Sequence, residues 1–422
     1  MSNNFIFDGC DTVQLAKEYG TPLYVISEKI IRDRCNEVKK SFLNKYKNTM
    51  AFYASKAFLN IAMCKIVEEE GLGLDVVSGG EIYTAVKAGF PMERVEFHGN
   101  NKTCEELELA ISSGVGRIVV DNFYELYLIE QLAERYSKNV DILIRIIPGI
   151  DSHTHQYIDT GRKDSKFGVP AEKEIILEMI NKILNTPSIN LLGFHFHVGS
   201  QLFDNKSHLM AVDVVMNIIR DLYNETGFVT KELNTGGGYG IYYCEGDEPK
   251  PVSYFVDPIM EKIYAKCEEC RIQVPKVMIE PGRWLIGEAG ITLYTIGSIK
   301  QIPNIRKYIS IDGGMTDNPR PALYQAKYEA IIANKFNESD NEVVTIAGKC
   351  CESGDIMIKD IKIPKADSGD ILAVMSTGAY NYSMANNYNK IPKPAVIFTN
   401  QGDHRVVVKR ESYEDMLKLE VI

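Results

Sequence analysis

The residues able to do chemistry fall into a few short groups. Lys56 ends the alternating apolar run 51–55 and precedes Phe58, Ile61, Ala62 and Ile66 at helical spacing, with Gly71 closing the segment. A lysine at a strand-to-helix junction lies where α/β folds collect their chemistry. Shielded from water, its amine can lose a proton and act as a nucleophile. A surface lysine at a loop edge is the competing reading. His195 and His197, in "FHFHVGSQ", alternate onto one face of a predicted strand. They read as metal ligands with His153 and His155, as structural histidines, or as a flat aromatic platform. No H-E-x-x-H or cysteine pair supports a metal, and none is expected. Ser200, just past that strand, could donate to a phosphate. Gly236, Gly237 and Gly238 in "TGGGYG" offer backbone N–H groups that could wrap an anion, or form a tight turn at positive φ. Glu280 and Arg283 in "MIEPGRW" could pair with each other, since a buried carboxylate needs a cationic partner. Otherwise Glu280 faces a protonated ring nitrogen and leaves Arg283 for a carboxylate or phosphate. Farther on, "NPRPALY" (318–324), "CCESGD" (350–355) and "STGAYNYSMANNYN" (376–389) are polar, tyrosine-rich segments that read as surface loops or small-molecule contacts.

These groups need elements to position them. Apolar strand-like runs recur after Lys56 at 73–78, 95–99, 117–121, 142–148, 191–199, 232–238 and 276–282, with helical stretches such as "NFYELYLIEQLAERY" between them. With the run before Lys56 this gives about eight strand–helix units, the count and length of a (β/α)₈ barrel. A doubly wound open sheet is the alternative. In a barrel, Lys56, His197, the glycines and Glu280 all lie at strand ends that share one mouth. The connection 149–170 exceeds ordinary loop length and is expected to cover or shape a site. From about Trp284 the chain turns strand-rich, which predicts a second, mostly β domain. The strand-like "TPLYVIS" (21–27) is expected to join it. The expected division is a barrel over 33–284 and a discontinuous β domain from 1–32 and 285–422.

Composition narrows the class. With 45% hydrophobic and 25% charged residues the chain reads as a soluble globular protein, and 422 residues exceed one ordinary domain. A net charge of −10 argues against a nucleic-acid-binding surface. No apolar run has the length of a membrane span, and "MSNNFIFDGC" shows no secretory pattern. The nine cysteines are odd in number and scattered, as reduced thiols of a cytoplasmic protein are. "CEEC" (267–270) falls in a predicted helix without a second pair.

Taken in order, "YASKA", "DVVSGGE", "HVGSQ", "GGGYG", "EPGR" and "CESGD" followed by "GAY" resemble the fold-type III, pyridoxal-phosphate-dependent decarboxylases over nearly the whole chain. The resemblance implies pyridoxal 5'-phosphate held by Lys56 as a Schiff base, with His197 against the ring and Glu280 at its nitrogen. It implies Ser200, Gly236, Gly237, Gly238, Gly282 and Arg283 around the phosphate, and Tyr380 touching cofactor and substrate. Arg283, Arg320, Tyr324 and Glu352 would bind substrate, and Cys351 would donate a proton. It further implies a homodimer with shared sites. The implied reaction is conversion of meso-2,6-diaminopimelate to L-lysine and CO₂, because two arginines suit a distal carboxylate. Decarboxylation of ornithine, arginine or carboxynorspermidine, racemisation, and non-catalytic cofactor binding are the alternatives.

Overall fold

The computed structural model describes residues 3–150 and 164–421. Most of the 149–170 connection, with His153 and His155, therefore lies outside the described residues. The chain divides into two compact units. One comprises Arg34–Gly240 and Glu248–Trp284; the other comprises Met1–Asp33, Ile241–Asp247 and Leu285–Ile422.

The first unit is a closed parallel barrel. Its strands are Thr49–Ala54, Gly73–Val76, Val95–Phe97, Arg117–Val120, Val140–Ile147, Ile189–His195, Glu232–Asn234 and Lys276–Ile279. Each pairs in parallel with the next, and the eighth closes on the first through Ile279 opposite Ala51. Phe52, Val119, Leu143, Leu192 and Met278 fill an interior layer, each side chain contributing roughly 1.5–3 kcal/mol by leaving water. Toward the amino ends of the strands, buried Glu232 accepts from Arg117 Nε at 2.9 Å and from Lys276 Nζ at 3.1 Å. The helices start where side chains can satisfy their first N–H groups. Asn60, Ser78, Thr103 and Asn122 accept from the backbone N–H groups of Met63, Glu81, Glu106 and Glu125.

Two sequence-based boundaries move. The helix after Lys56 begins at Ile61, and residues 55–57 form a single 3₁₀ turn. Phe58 is held out of the helix because its carbonyl accepts from the Tyr53 hydroxyl at 2.7 Å. The sixth strand ends at His195, so His197 lies in the loop beyond and does not share a strand face with it.

The second unit is mostly β. Leu23–Ser27 lies between Gly290–Ile302, antiparallel, and Ala395–Asn400, parallel. Leu23, Val25, Ile291, Leu293, Ala373 and Ile397 sit in one core. Ala330–Ile332 pairs with Ile371–Val374 and is too short to announce itself by alternation. Ile241–Asp247, inside the stretch read as barrel, belongs to this unit: Tyr242 Oη donates to Glu329 at 2.7 Å and its carbonyl accepts from Ser376 Oγ at 2.8 Å. Among the described residues, no helix is long and apolar enough to cross a membrane.

Candidate active site

The carboxyl ends of the barrel strands carry a dense group of charges. Register aligns Asp75 with Glu96, and His195 with both Arg145 and Asn234. Glu280 follows the eighth strand and is buried. Its Oε1 lies 2.9 Å from His98 Nε2 and accepts from Asn234 Nδ2 at 2.7 Å. Its Oε2 lies 3.2 Å from His195 Nε2. Burial alone would raise Glu280, but His98 and His195 outweigh it and hold the carboxyl well below the usual range. Glu280 therefore does not rely on Arg283, and the pairing considered from sequence is replaced. Arg283 Nη2 instead donates to Ser200 Oγ at 3.2 Å.

Lys56 is the one exposed residue in the buried run 51–58, so the expected shielding from water is not supplied by this chain. Its charge acts on Asp75, Glu81 and His197. His197 is half-buried and lowered well below the ordinary imidazole range, first by desolvation and then by Lys56 and Arg145. It presents a neutral ring. Burial pushes Glu81 up to about 7, opposed by a hydrogen bond from Val77 N–H.

The glycine run is demanded by sterics. Gly236 and Gly238 have φ of +72° and +97°, and a Cβ on Gly237 would lie 2.2 Å from the Glu280 carbonyl oxygen. A Cβ on Gly282 would meet that of Ala54 at 2.8 Å. Three loops thus pack backbone to backbone here. The buried Ser55 Oγ and His195 Nδ1 have no hydrogen-bond partner among the described residues. This donor set fits pyridoxal phosphate: a reachable amine for a carbonyl, an ionised buried carboxylate for a ring nitrogen, a neutral imidazole, and a guanidinium beside a hydroxyl for a phosphate.

The β unit supplies the remaining sequence-derived residues. Arg320 is buried at the start of the helix Arg320–Tyr324, its guanidinium 4.9 Å from the Tyr243 ring centroid and 5.5 Å from that of Tyr328. It also donates to the Tyr328 hydroxyl, while its Nε has no hydrogen-bond partner among the described residues. Tyr324 is half-buried. Cys351 and Glu352 are exposed, on a loop organised by buried Asp355. Asp355 accepts from Met315 N–H at 2.7 Å and Cys350 N–H at 2.9 Å. Tyr380 is held at φ +62°, a costly conformation for a side-chain-bearing residue.

Sequence reasoning missed His98, Glu96, Arg145 and Asn234, and gave Asp75 no role. All lie in or directly after barrel strands, so the strand-end criterion that selected His197 and Glu280 would have found them.

A family profile described as pyridoxal-dependent decarboxylase, pyridoxal binding domain, matches residues 28–287. The diaminopimelate decarboxylase of Bacillus subtilis (strain 168) is 50% identical over 413 residues, covering 98% of this chain and 94% of that one. The crystal structure of diaminopimelate decarboxylase from M. jannaschii in complex with L-lysine superposes with a TM-score of 0.92 at 35% identity, covering 100% of this chain and 96% of that one. A lysine/ornithine decarboxylase from Vibrio vulnificus shares the fold, with a TM-score of 0.77 at 21% identity over 92% of this chain and 98% of that one. The chain belongs to the pyridoxal-dependent decarboxylase family, within its diaminopimelate decarboxylase branch.

Proposed function

We propose that this chain decarboxylates meso-2,6-diaminopimelate to L-lysine and CO₂ as the last step of lysine biosynthesis, with its residues divided as follows. Lys56 carries the cofactor through its amine. Glu280 lies at the ring nitrogen, and His197 presents its neutral face to the ring. Arg283 and Ser200, which touch each other, hold the phosphate with Gly236, Gly237, Gly238 and Gly282. When bound, pyridoxal phosphate supplies an electron sink for the pair left on the α-carbon as CO₂ departs. The ionised state of Glu280 favours a protonated ring nitrogen and so preserves that sink.

Arg320 takes the substrate carboxylate that does not react. Tyr324, Glu352 and Tyr380 complete the substrate contacts. The Cys351 thiol delivers a proton to the α-carbon, a task for which a positioned acid typically contributes 10²–10⁴-fold. Because Cys351 and Glu352 are exposed in the single chain, we take them to act in the site of a second copy, in a homodimer. All nine cysteines are free, which suits the reducing cytoplasm.

The observation that carries the substrate assignment is Arg320, a buried cation with a donor still open. A substrate with a second carboxylate answers it; ornithine, whose distal end is an amine, does not. The test is CO₂ release from meso-diaminopimelate, L-ornithine and L-arginine measured side by side. Turnover of diaminopimelate alone is expected. Comparable turnover of ornithine would overturn the assignment.

A further inference from the structure

Resting on the placement of Glu280 at the ring nitrogen, we propose that His98 is a positioning residue whose imidazolium keeps Glu280 ionised and aimed. His98 touches no group assigned to substrate. Its Nε2 faces only carboxylates: Glu280 Oε1 at 2.9 Å, Glu96 Oε1 at 3.3 Å and Asp75 Oδ1 at 3.8 Å. Three buried carboxyls around one buried imidazole place positive charge where burial makes negative charge most costly. The other groups acting on this cluster are His195, Asn234, Lys56, Arg145 and, on Glu96, Arg117.

The two histidines divide the work. Burial pulls His98 down, but Asp75 and Glu280 outweigh it and bring it to about 10. His195, 4.7 Å away ring to ring, is lowered to about 4, chiefly by burial. A neutral His195 donates through Nε2 to Glu280 Oε2, which leaves its unpartnered Nδ1 as the acceptor. His98 thus supplies the charge and His195 the direction. The loop after His98 is fixed by buried Lys102, whose Nζ donates to Gly99 O at 2.9 Å, Val119 O at 2.7 Å and Glu125 Oε1 at 2.5 Å.

His98→Gln keeps a donor and removes the charge. Glu280 then regains the rise that burial imposes, so it protonates at higher pH. With cofactor bound, the acid limb of both kcat and the visible absorption should move up by at least about one pH unit. Near neutrality kcat should fall about tenfold or more, the equivalent of one unit, with KM little changed. In cofactor-free protein labelled at histidine Cε1, the resonance lost in His98→Gln or His98→Asn should stay in its charged form through pH 8. In Glu280→Gln it should become neutral at lower pH. A His98 resonance already neutral at pH 7, or an acid limb unmoved in His98→Gln while Glu280→Gln moves it, would overturn the inference alone. If Glu280→Gln leaves the absorption and its pH dependence unchanged, the placement of Glu280 fails and the inference with it. His98, His195 and Glu280 also present ligand atoms within 4.8 Å of one another. Stoichiometric zinc in the cofactor-free protein, absent from His98→Gln, would make the triad a metal site and overturn the proton reading.

Discussion

The mouth of the barrel and the 348–355 loop of the β unit both carry chemistry, yet they are built in opposite ways. At the barrel mouth the polar groups are buried, and Glu280 has both oxygens engaged by His98, Asn234 and His195. The supporting elements are strands fixed by register on both sides. In the loop, buried Asp355 fixes the backbone while Cys351 and Glu352 stand in solvent. Gly314 and Gly348 make room for it, since a Cβ on either would come within 2.4 Å or less of the Asp355 carboxylate. One region completes its electrostatics within the chain. The other holds its functional side chains in readiness for a surface that the single chain does not provide. Arg320 stands between the two: it belongs to the β unit, but it is caged by Tyr243 and Tyr328.

This contrast can be broken at several points. Lys56→Ala should abolish turnover and the visible absorption together, because no other residue is assigned the cofactor carbonyl. Borohydride reduction of the unsubstituted protein should label the peptide containing Lys56; a label on another lysine would remove it from the role. Cys351→Ser should slow turnover by roughly 10²–10⁴-fold, the range for a positioned acid, with the visible absorption retained. Loss of that absorption would mean that the loop organises the cofactor and is not merely a donor.

The sharpest test of a self-contained barrel against a donated loop mixes the inactive Lys56→Ala and Cys351→Ala proteins after unfolding and refolding. If each site draws on two chains, a symmetric pair with one copy of each variant has one intact site. Half the pairs are mixed, so activity should return to about a quarter of the unsubstituted value. A mixture as inactive as its parents, with subunit exchange verified by mass spectrometry, would put both residues on one chain.

Smaller effects probe Arg320. Its replacement by Ala should weaken diaminopimelate binding by roughly 1.5–3 kcal/mol, as for a hydrogen bond to a charged group. Cofactor absorption should persist. Tyr328→Phe removes only the hydroxyl that Arg320 meets and should cost about 1 kcal/mol, seen in KM and not in kcat. An equal loss in kcat would show that the cage positions more than the distal carboxylate.

Much of this was legible before the structure. The strand–helix rhythm announces the barrel because parallel strands buried on both faces must be apolar runs, as at "GLDVVS" and "ILIRIIP". Lys56, His197, Gly236–Gly238 and Glu280 stand out because they interrupt or end those runs. Leu23–Ser27 could be assigned to the β domain by its alternation alone. The segment Ile241–Asp247 could not be assigned, since nothing in an irregular stretch says which unit it packs against.

Local pattern therefore determined which residues lie at strand ends and what chemistry their types permit, because periodicity is a property of neighbours along the chain. Only the tertiary structure decided which charges meet. The alternatives for Glu280 turned on its partner, and the partner is His98, 182 positions earlier in the chain, brought within 2.9 Å by barrel closure. A carboxylate's ionisation depends on burial and on what lies within a few ångströms. Both are set by contacts between distant segments, which a one-dimensional reading does not contain.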